Sequence, residues 1–150
     1  MSQSLAKNLI HLIYSTKNRA PCFDRDVQVH LFAYQAGILN EWESPALVIG
    51  GVSDHVHALF ALSKNHALAK VIEELKKGSS KWLKTQGSEF RDFHWQAGYG
   101  AFSVSQSNVD EVRRYIEQQE EHHRVRSFQE EFLAFLKRHG MEYDERYLWD

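Results

Sequence analysis

One cysteine, Cys22, stands in the whole chain, so an internal disulfide and a zinc site built on paired thiolates are both excluded. The two prolines, Pro21 and Pro45, are too few for a proline-rich linker, and no stretch dense in glycine or serine divides the chain. No apolar run approaches the roughly 20 residues that a membrane helix needs. The opening MSQSLAKNLIHLIYSTKNR has neither the long apolar segment nor the small-residue cleavage site of a secretory signal, so a cytoplasmic protein with no membrane partner is expected. Positive charge is not in excess either. Eighteen Lys and Arg against 20 Asp and Glu leave −2 at pH 7, which is not the overall signature of a nucleic-acid binder. What remains is ordinary for a globular chain: 43% hydrophobic and 25% charged over 150 residues, too apolar for disorder and the length of one domain. One domain over 1–150 is expected, with 124–150 as a C-terminal helix and tail.

The charge is spread unevenly. Residues 64–91 hold seven basic side chains against three acidic ones, whereas 110–150 hold seven basic and eleven acidic. A phosphate-facing surface on one side would look like this, and so would a solvated amphipathic helix. Leu9 to Tyr14 reads as a buried strand before a turn at Pro21. Asp24 can cap a helix through about Glu43, striped by Val27, Leu31, Tyr34, Ile38 and Trp42, which Pro45 stops. Ala46–Ile49 reads as a strand, Gly50-Gly51 as a turn or bulge, and His55–Leu62 as its hairpin partner. Asn65 can cap a second helix bearing Leu68, Val71, Ile72, Leu75, Ser79 and Trp82, where Gly78 points to a close backbone approach or a kink. Phe93–Val104 reads as one or two strands. Ser107 with Asp110, and Ser127 with Glu130, resemble capping boxes for two more helices, one running to about His123 and one ending at Gly140. The order β-α-β-β-α-β-α plus a C-terminal helix predicts an α+β domain with a mostly antiparallel sheet covered by helices.

Two features can carry chemistry. His55 and His57 lie two residues apart on an apolar strand, so both imidazoles leave the same face while Val56 packs on the other. Tyr115 and Gln119 lie one helical turn apart, with Val109, Val112 and Ile116 as the packing stripe and Tyr115 at its edge. A phenol, with a pKa near ~10, is a poor nucleophile at neutral pH. It becomes useful against a phosphodiester when a metal ion polarises the phosphate. Two imidazoles and a Gln amide oxygen would give three neutral ligands, leaving the cation's charge free for an anionic substrate. Attack would leave a phosphotyrosine bond and a free hydroxyl, conserving bond energy without ATP or any other nucleotide cofactor. Cleavage should weaken as pH drops through about 6, where free imidazoles protonate.

At these residues the chain resembles the HUH single-tyrosine transposases of bacterial insertion sequences, which move as single-stranded DNA. The likeness extends over ordered blocks: His11–Arg19, Ser53–Leu59, Leu75–Ser80, Gly98–Ser105, Tyr115–His123 and the ending Glu142–Asp150. It implies a ferredoxin-like antiparallel sheet with helices. It also implies Tyr115 as the nucleophile joined to the 5′ phosphate, His55 and His57 as the metal pair, Gln119 as third ligand, and magnesium or manganese as the metal. Its members act as homodimers on hairpins near the ends of their elements. For phosphate contacts the candidates are Lys17 and Arg19 after the first strand, and Lys76, Lys77, Ser79 and Ser80 on the basic helix. Tyr99, Phe102 and Trp95 could stack bases or fill the core. A domesticated relative that processes repeated palindromes would carry the same residues. Other readings are a zinc hydrolase around His55 and His57, with His94, His122 or His123 as third ligand, and a non-catalytic single-strand-binding module.

Overall fold

The computed structural model describes residues 2–123 and 126–150. The expected boundary of the tail at residue 124 therefore lies outside the described residues. Strand β1 (Leu9–Ser15) is central and buried along its whole length, flanked by β3 (His55–Ala61) and β4 (Gly100–Val104), with β2 (Ala46–Gly51) outside β3. The order β2-β3-β1-β4, antiparallel throughout, is the ferredoxin-like arrangement of two interleaved crossovers. The expected α+β class and antiparallel sheet are what the structure has.

Both faces of the sheet are covered, which is why β1 from Leu9 to Tyr14 is apolar apart from His11. Side chains alternate between the faces. Ile10, Leu12 and Tyr14 of β1 and Val56, Ala58 and Phe60 of β3 meet helices α1 (Arg25–Glu41) and α2 (Leu68–Leu83) in the larger core. Leu9, His11, Ile13, His55, His57 and Leu59 face the other way. There Val109 and Ile116 of α3 (Val109–Glu117) and Phe128, Phe132 and Leu136 of α5 (Phe128–Arg138) complete two smaller clusters. The two imidazoles thus sit between the sheet and α3 and α5, with the short α4 (Gln119–His122) at one end.

Local signals were mostly obeyed. Asp24 caps α1 by accepting from Val27 N at 2.9 Å, and Ser127 caps α5 by accepting from Glu130 N at 3.2 Å. Gly78 marks a close approach of α1 and α2, since a Cβ there would lie 2.9 Å from Ile38 Cδ1. Several expectations are corrected. Asn65 does not cap α2; its N–H closes a turn onto Ser63 Oγ, and Ala67 takes the cap position with no side-chain bond. Ser107 forms no capping box; its hydroxyl pairs with Ser105 at 3.0 Å, and a 3-10 turn over Gln106–Asn108 leads into α3. The helix expected to run to His123 breaks at Gln118, whose φ of −103° and ψ of 23° separate α3 from α4. Residues 93–99 are irregular and meet the end of β1 through a bridge between Trp95 and Thr16 and through Gln96, whose Oε1 accepts from Ser15 N at 2.8 Å. Gly50 and Gly51 are not the hairpin turn. They end β2, whose register slips instead between Ala46 and Val48.

Gly50 has a specific role in this layer. It is the cross-strand partner of His57, and a Cβ on it would lie 2.7 Å from the backbone oxygen of Ile116. The missing side chain lets α3 settle onto β2 directly beside His57, which brings Tyr115, the neighbour of Ile116, over the imidazoles.

Candidate active site

His55 and His57 are fully buried, and three other elements converge on them. Gln119, buried at the start of α4, places Oε1 3.2 Å from His55 Nε2 and 3.1 Å from Nε2 of His123, one turn further on. Glu131, buried on α5, accepts from His57 Nε2 at 2.9 Å and lies 3.2 Å from His123 Nε2 and 3.5 Å from His55 Nε2. The Tyr115 hydroxyl donates to Glu131 Oε2, and the Tyr115 and His57 rings lie 5.9 Å apart. Four of the expected residues, Tyr115, His55, His57 and Gln119, are therefore together within one chain.

The hydrogen-bond partners assign the protons. His55 has acceptors at both nitrogens: Asp54 Oδ1 at 2.7 Å from Nδ1, and Gln119 and Glu131 oxygens at Nε2. Both nitrogens must donate, so the ring is an imidazolium. Burial opposes that charge, but the bonds to Asp54 and Glu131 outweigh it and raise its pKa to about 9. His57 donates from Nε2 to Glu131, which leaves Nδ1 to accept from Nε2 of His11 at 2.8 Å. That ring is neutral. Burial holds its pKa down at about 4, against the pull of Glu131, and burial likewise holds His11 well below the usual histidine range. The Glu131 carboxyl is pushed up by burial, but bonds from His123, His55 and His57 together hold it well below the usual carboxylate range. Burial and the Glu131 charge raise the Tyr115 phenol above its ordinary value. The imidazoles thus do not titrate together near pH 6, as free ones would.

These side chains fit a divalent cation. Nitrogens of His55, His57 and His123 and a Glu131 oxygen all lie within 4.8 Å of one another, a mixed imidazole and oxygen set that suits first-row metals as well as harder ions. The positive charge that Glu131 requires is here supplied by the proton on His55, which a cation would replace. Beside the expected ligands His55, His57 and Gln119, the cluster also holds a third imidazole, His123, and a carboxylate, Glu131.

Glu131, His11 and Asp54 were not singled out in the sequence, and His123 only as a zinc alternative. Glu131 did carry a signal: it is an acid at helical spacing from Phe128 and Phe135, on the apolar face of α5, where an unpaired charge would be costly. His11 is the matching case in β1. It is diagonal to His57 across the strand pair, because its direct partner is Leu59.

The proposed DNA-contacting residues divide. Lys17 is exposed on the 3-10 turn after β1. Arg19 is half-buried there and lines a cavity with Asp54 and His123, at the mouth of the site. Lys76, Lys77, Ser79 and Ser80 lie on α2, across the sheet from the imidazoles. Lys77 is exposed and Ser80 half-buried. Lys76 donates to the carbonyls of Gln96, Ala97 and Gly98. Ser79 is buried, donating to Leu75 O at 2.7 Å and accepting from Trp95 Nε1 at 3.0 Å. Trp95 and Phe102 are core, while Tyr99 stays exposed.

A half-buried phenol held against paired imidazoles, on a ferredoxin-like sheet, is the arrangement of an HUH single-tyrosine transposase. The sequence profile of the family described as "Transposase IS200 like" matches residues 4–119, and the chain belongs to that family. The matched residues stop at Gln119, so His123 and Glu131 lie past them. Among solved structures, a Deinococcus radiodurans protein assigned as a transposase aligns with a TM-score of 0.62 and 21% identity, over 79% of this chain and 98% of that one. A REP-associated tyrosine transposase bound to a REP hairpin aligns with a TM-score of 0.60 and 13% identity, over 82% of this chain and 74% of that one. No curated protein matches the chain. Among the described residues, no helix is long and apolar enough to cross a membrane.

Proposed function

We propose that the chain is a single transposase domain over 1–150 that cleaves and rejoins single-stranded DNA through Tyr115. The carrying observation is that Tyr115 and His57 share one buried carboxylate, Glu131. The phenol oxygen attacks the scissile phosphorus, the bond from phosphorus to the 3′ oxygen breaks, and a 5′-phosphotyrosine forms. Glu131 Oε2 is placed to take the phenol proton, and the departing 3′ oxygen takes a proton from solvent. Magnesium or manganese, when bound, would supply Lewis-acid charge at the phosphate oxygens. His55, His57 and Gln119 are the proposed ligands, with His123 and Glu131 beside them. For His57 Nε2 to ligate, its proton must sit on Nδ1, where His11 Nε2 can accept it.

The substrate is single-stranded DNA with hairpin ends, bound by a cytoplasmic homodimer. The hollow beside Lys17 and the one beside Lys77 and Ser80 share Trp95 and Ala97, which supports a continuous phosphate track there. Arg19 serves the cleavage centre, Lys76 holds the backbone of residues 96–98, and Ser79 holds the Trp95 side chain, which together frame the track. An active element and a domesticated relative processing repeated palindromes use the same chemistry. Three imidazoles and a carboxylate are also a zinc set, so a zinc hydrolase is the second reading; tight stoichiometric zinc without DNA affinity would favour it.

The test mixes the protein, manganese and single-stranded DNA from the regions flanking its gene. An SDS-resistant adduct is expected, and Tyr115→Phe should abolish it while sparing DNA binding. An adduct that persists in Tyr115→Phe would overturn the assignment.

A further inference from the structure

Beyond the imidazole cluster, Tyr115 forms the wall of a second space. A cavity of about 310 Å³ opens between α3, α5 and the edge strand β4, lined in part by Tyr115, Phe102, Phe135 and His139. Its size is at the lower end for a small-molecule site. Its walls are aromatic on one side: Phe102 stacks on His139 at 4.5 Å and on Phe135 at 5.5 Å. Arg114 and Arg138, both exposed, also line it. His122 lines it too, stacked on the Tyr115 ring at 4.4 Å, and His122 Nε2 is buried with no hydrogen-bond partner among the described residues. The aromatic wall, the two guanidinium groups and the imidazole nitrogen that has no partner among the described residues match the face, phosphate and edge of one nucleotide.

We propose that this cavity takes one unpaired nucleotide of the cleaved strand, next to the phosphate that Tyr115 receives. The inference rests on the transposase reading and deepens it. Because the cavity shares Tyr115 with the cleavage centre, a strand whose phosphate is at the phenol has its neighbouring base within reach of Phe135 and His139. The nucleotide there is held by stacking and phosphate contact, and its edge meets His122.

The experiment titrates the full chain with the four 5′-deoxynucleoside monophosphates, with 2-deoxyribose 5-phosphate, and with trinucleotides, reading the ring resonances of His122 and His139 by NMR. At least one mononucleotide should bind about tenfold more tightly than the base-free sugar phosphate, and trinucleotides should bind more tightly still. Phe135→Leu, which keeps the apolar volume, should erase the advantage of the base. Arg138→Gln, on an exposed position, should weaken mononucleotide and sugar phosphate alike by severalfold. Equal binding of sugar phosphate and mononucleotides, or shifts that avoid His122 and His139, would overturn the proposal. Trinucleotides no better than mononucleotides would identify a free nucleotide as the occupant and overturn the strand assignment. The adduct assay separates the two failures: an adduct without base binding removes only the cavity, and base binding without an adduct removes cleavage through Tyr115 and with it the placement beside the cleaved phosphate.

Discussion

Replacing Glu131 with Gln keeps the shape of the buried side chain and removes the charge that sets the protonation of its neighbours. In the metal-free protein the folded state holds a proton on His55 up to about pH 9, against an ordinary value of 6.5. Its contribution to stability is therefore complete below 6.5 and lost as pH rises through 9. The 2.5-unit difference is worth about 3 kcal/mol. His57 works in the opposite direction. With a folded value of about 4 against 6.5, stability is complete above 6.5 and falls by about 3 kcal/mol as pH drops to 4. Stability should thus peak near pH 6.5. Both Glu131 and Asp54 raise His55 against burial, so Glu131→Gln should reduce the alkaline loss while Asp54 preserves part of it. The same change removes the negative charge that pulls His57 upward, so the acid loss persists and the peak stays near pH 6.5. Guanidinium melts with chelator present, at pH 6.5 and 9 in both proteins, read this difference directly provided that m is unchanged. An alkaline loss of equal size in both would refute the assignment of the His55 proton to Glu131.

The same proton governs metal loading. Cation affinity, followed by manganese titration, should rise about tenfold per pH unit between 7 and 9 as His55 gives up its proton; a flat profile would sink this. Gly50→Ala should cost about 1–3 kcal/mol, because the new methyl meets the Ile116 carbonyl rather than a pliable side chain. It should also cut adduct formation at least tenfold, since small misplacements of a nucleophile are costly; a wild-type melt and adduct rate would show that α3 does not depend on this glycine. Lys76→Met keeps the stem but strands the carbonyls of Gln96, Ala97 and Gly98, so a loss of about 2 kcal/mol is expected in a thermal melt. An unchanged melt with weakened DNA binding would make Lys76 a phosphate contact instead.

Legibility in the sequence followed the range of the interaction. The cap at Asp24, the strand run from Leu9 to Tyr14 and the shared face of His55 and His57 depend on residues a few positions apart, and these were read correctly. The cap at Asn65 and the capping box at Ser107 failed although they too are local, because Ser63 and Ser105 offered competing short-range bonds. The intramolecular contacts of Lys76 and Ser79 could not be read, because charge and polarity along α2 do not reveal that residues 95–98 fold back onto it.

The sequence by itself determined the reactive groups and their local pairings: two imidazoles on one strand face, and a phenol one helical turn before an amide. Periodicity fixes such relations within a single element. Tertiary structure alone decided that Glu131, from the far end of the chain, and His11, from its beginning, reach those groups. It also decided which imidazole carries a proton. Those outcomes depend on burial and on partners 46 and 74 residues away from His57, and no spacing along the chain encodes a dielectric or a long-range contact.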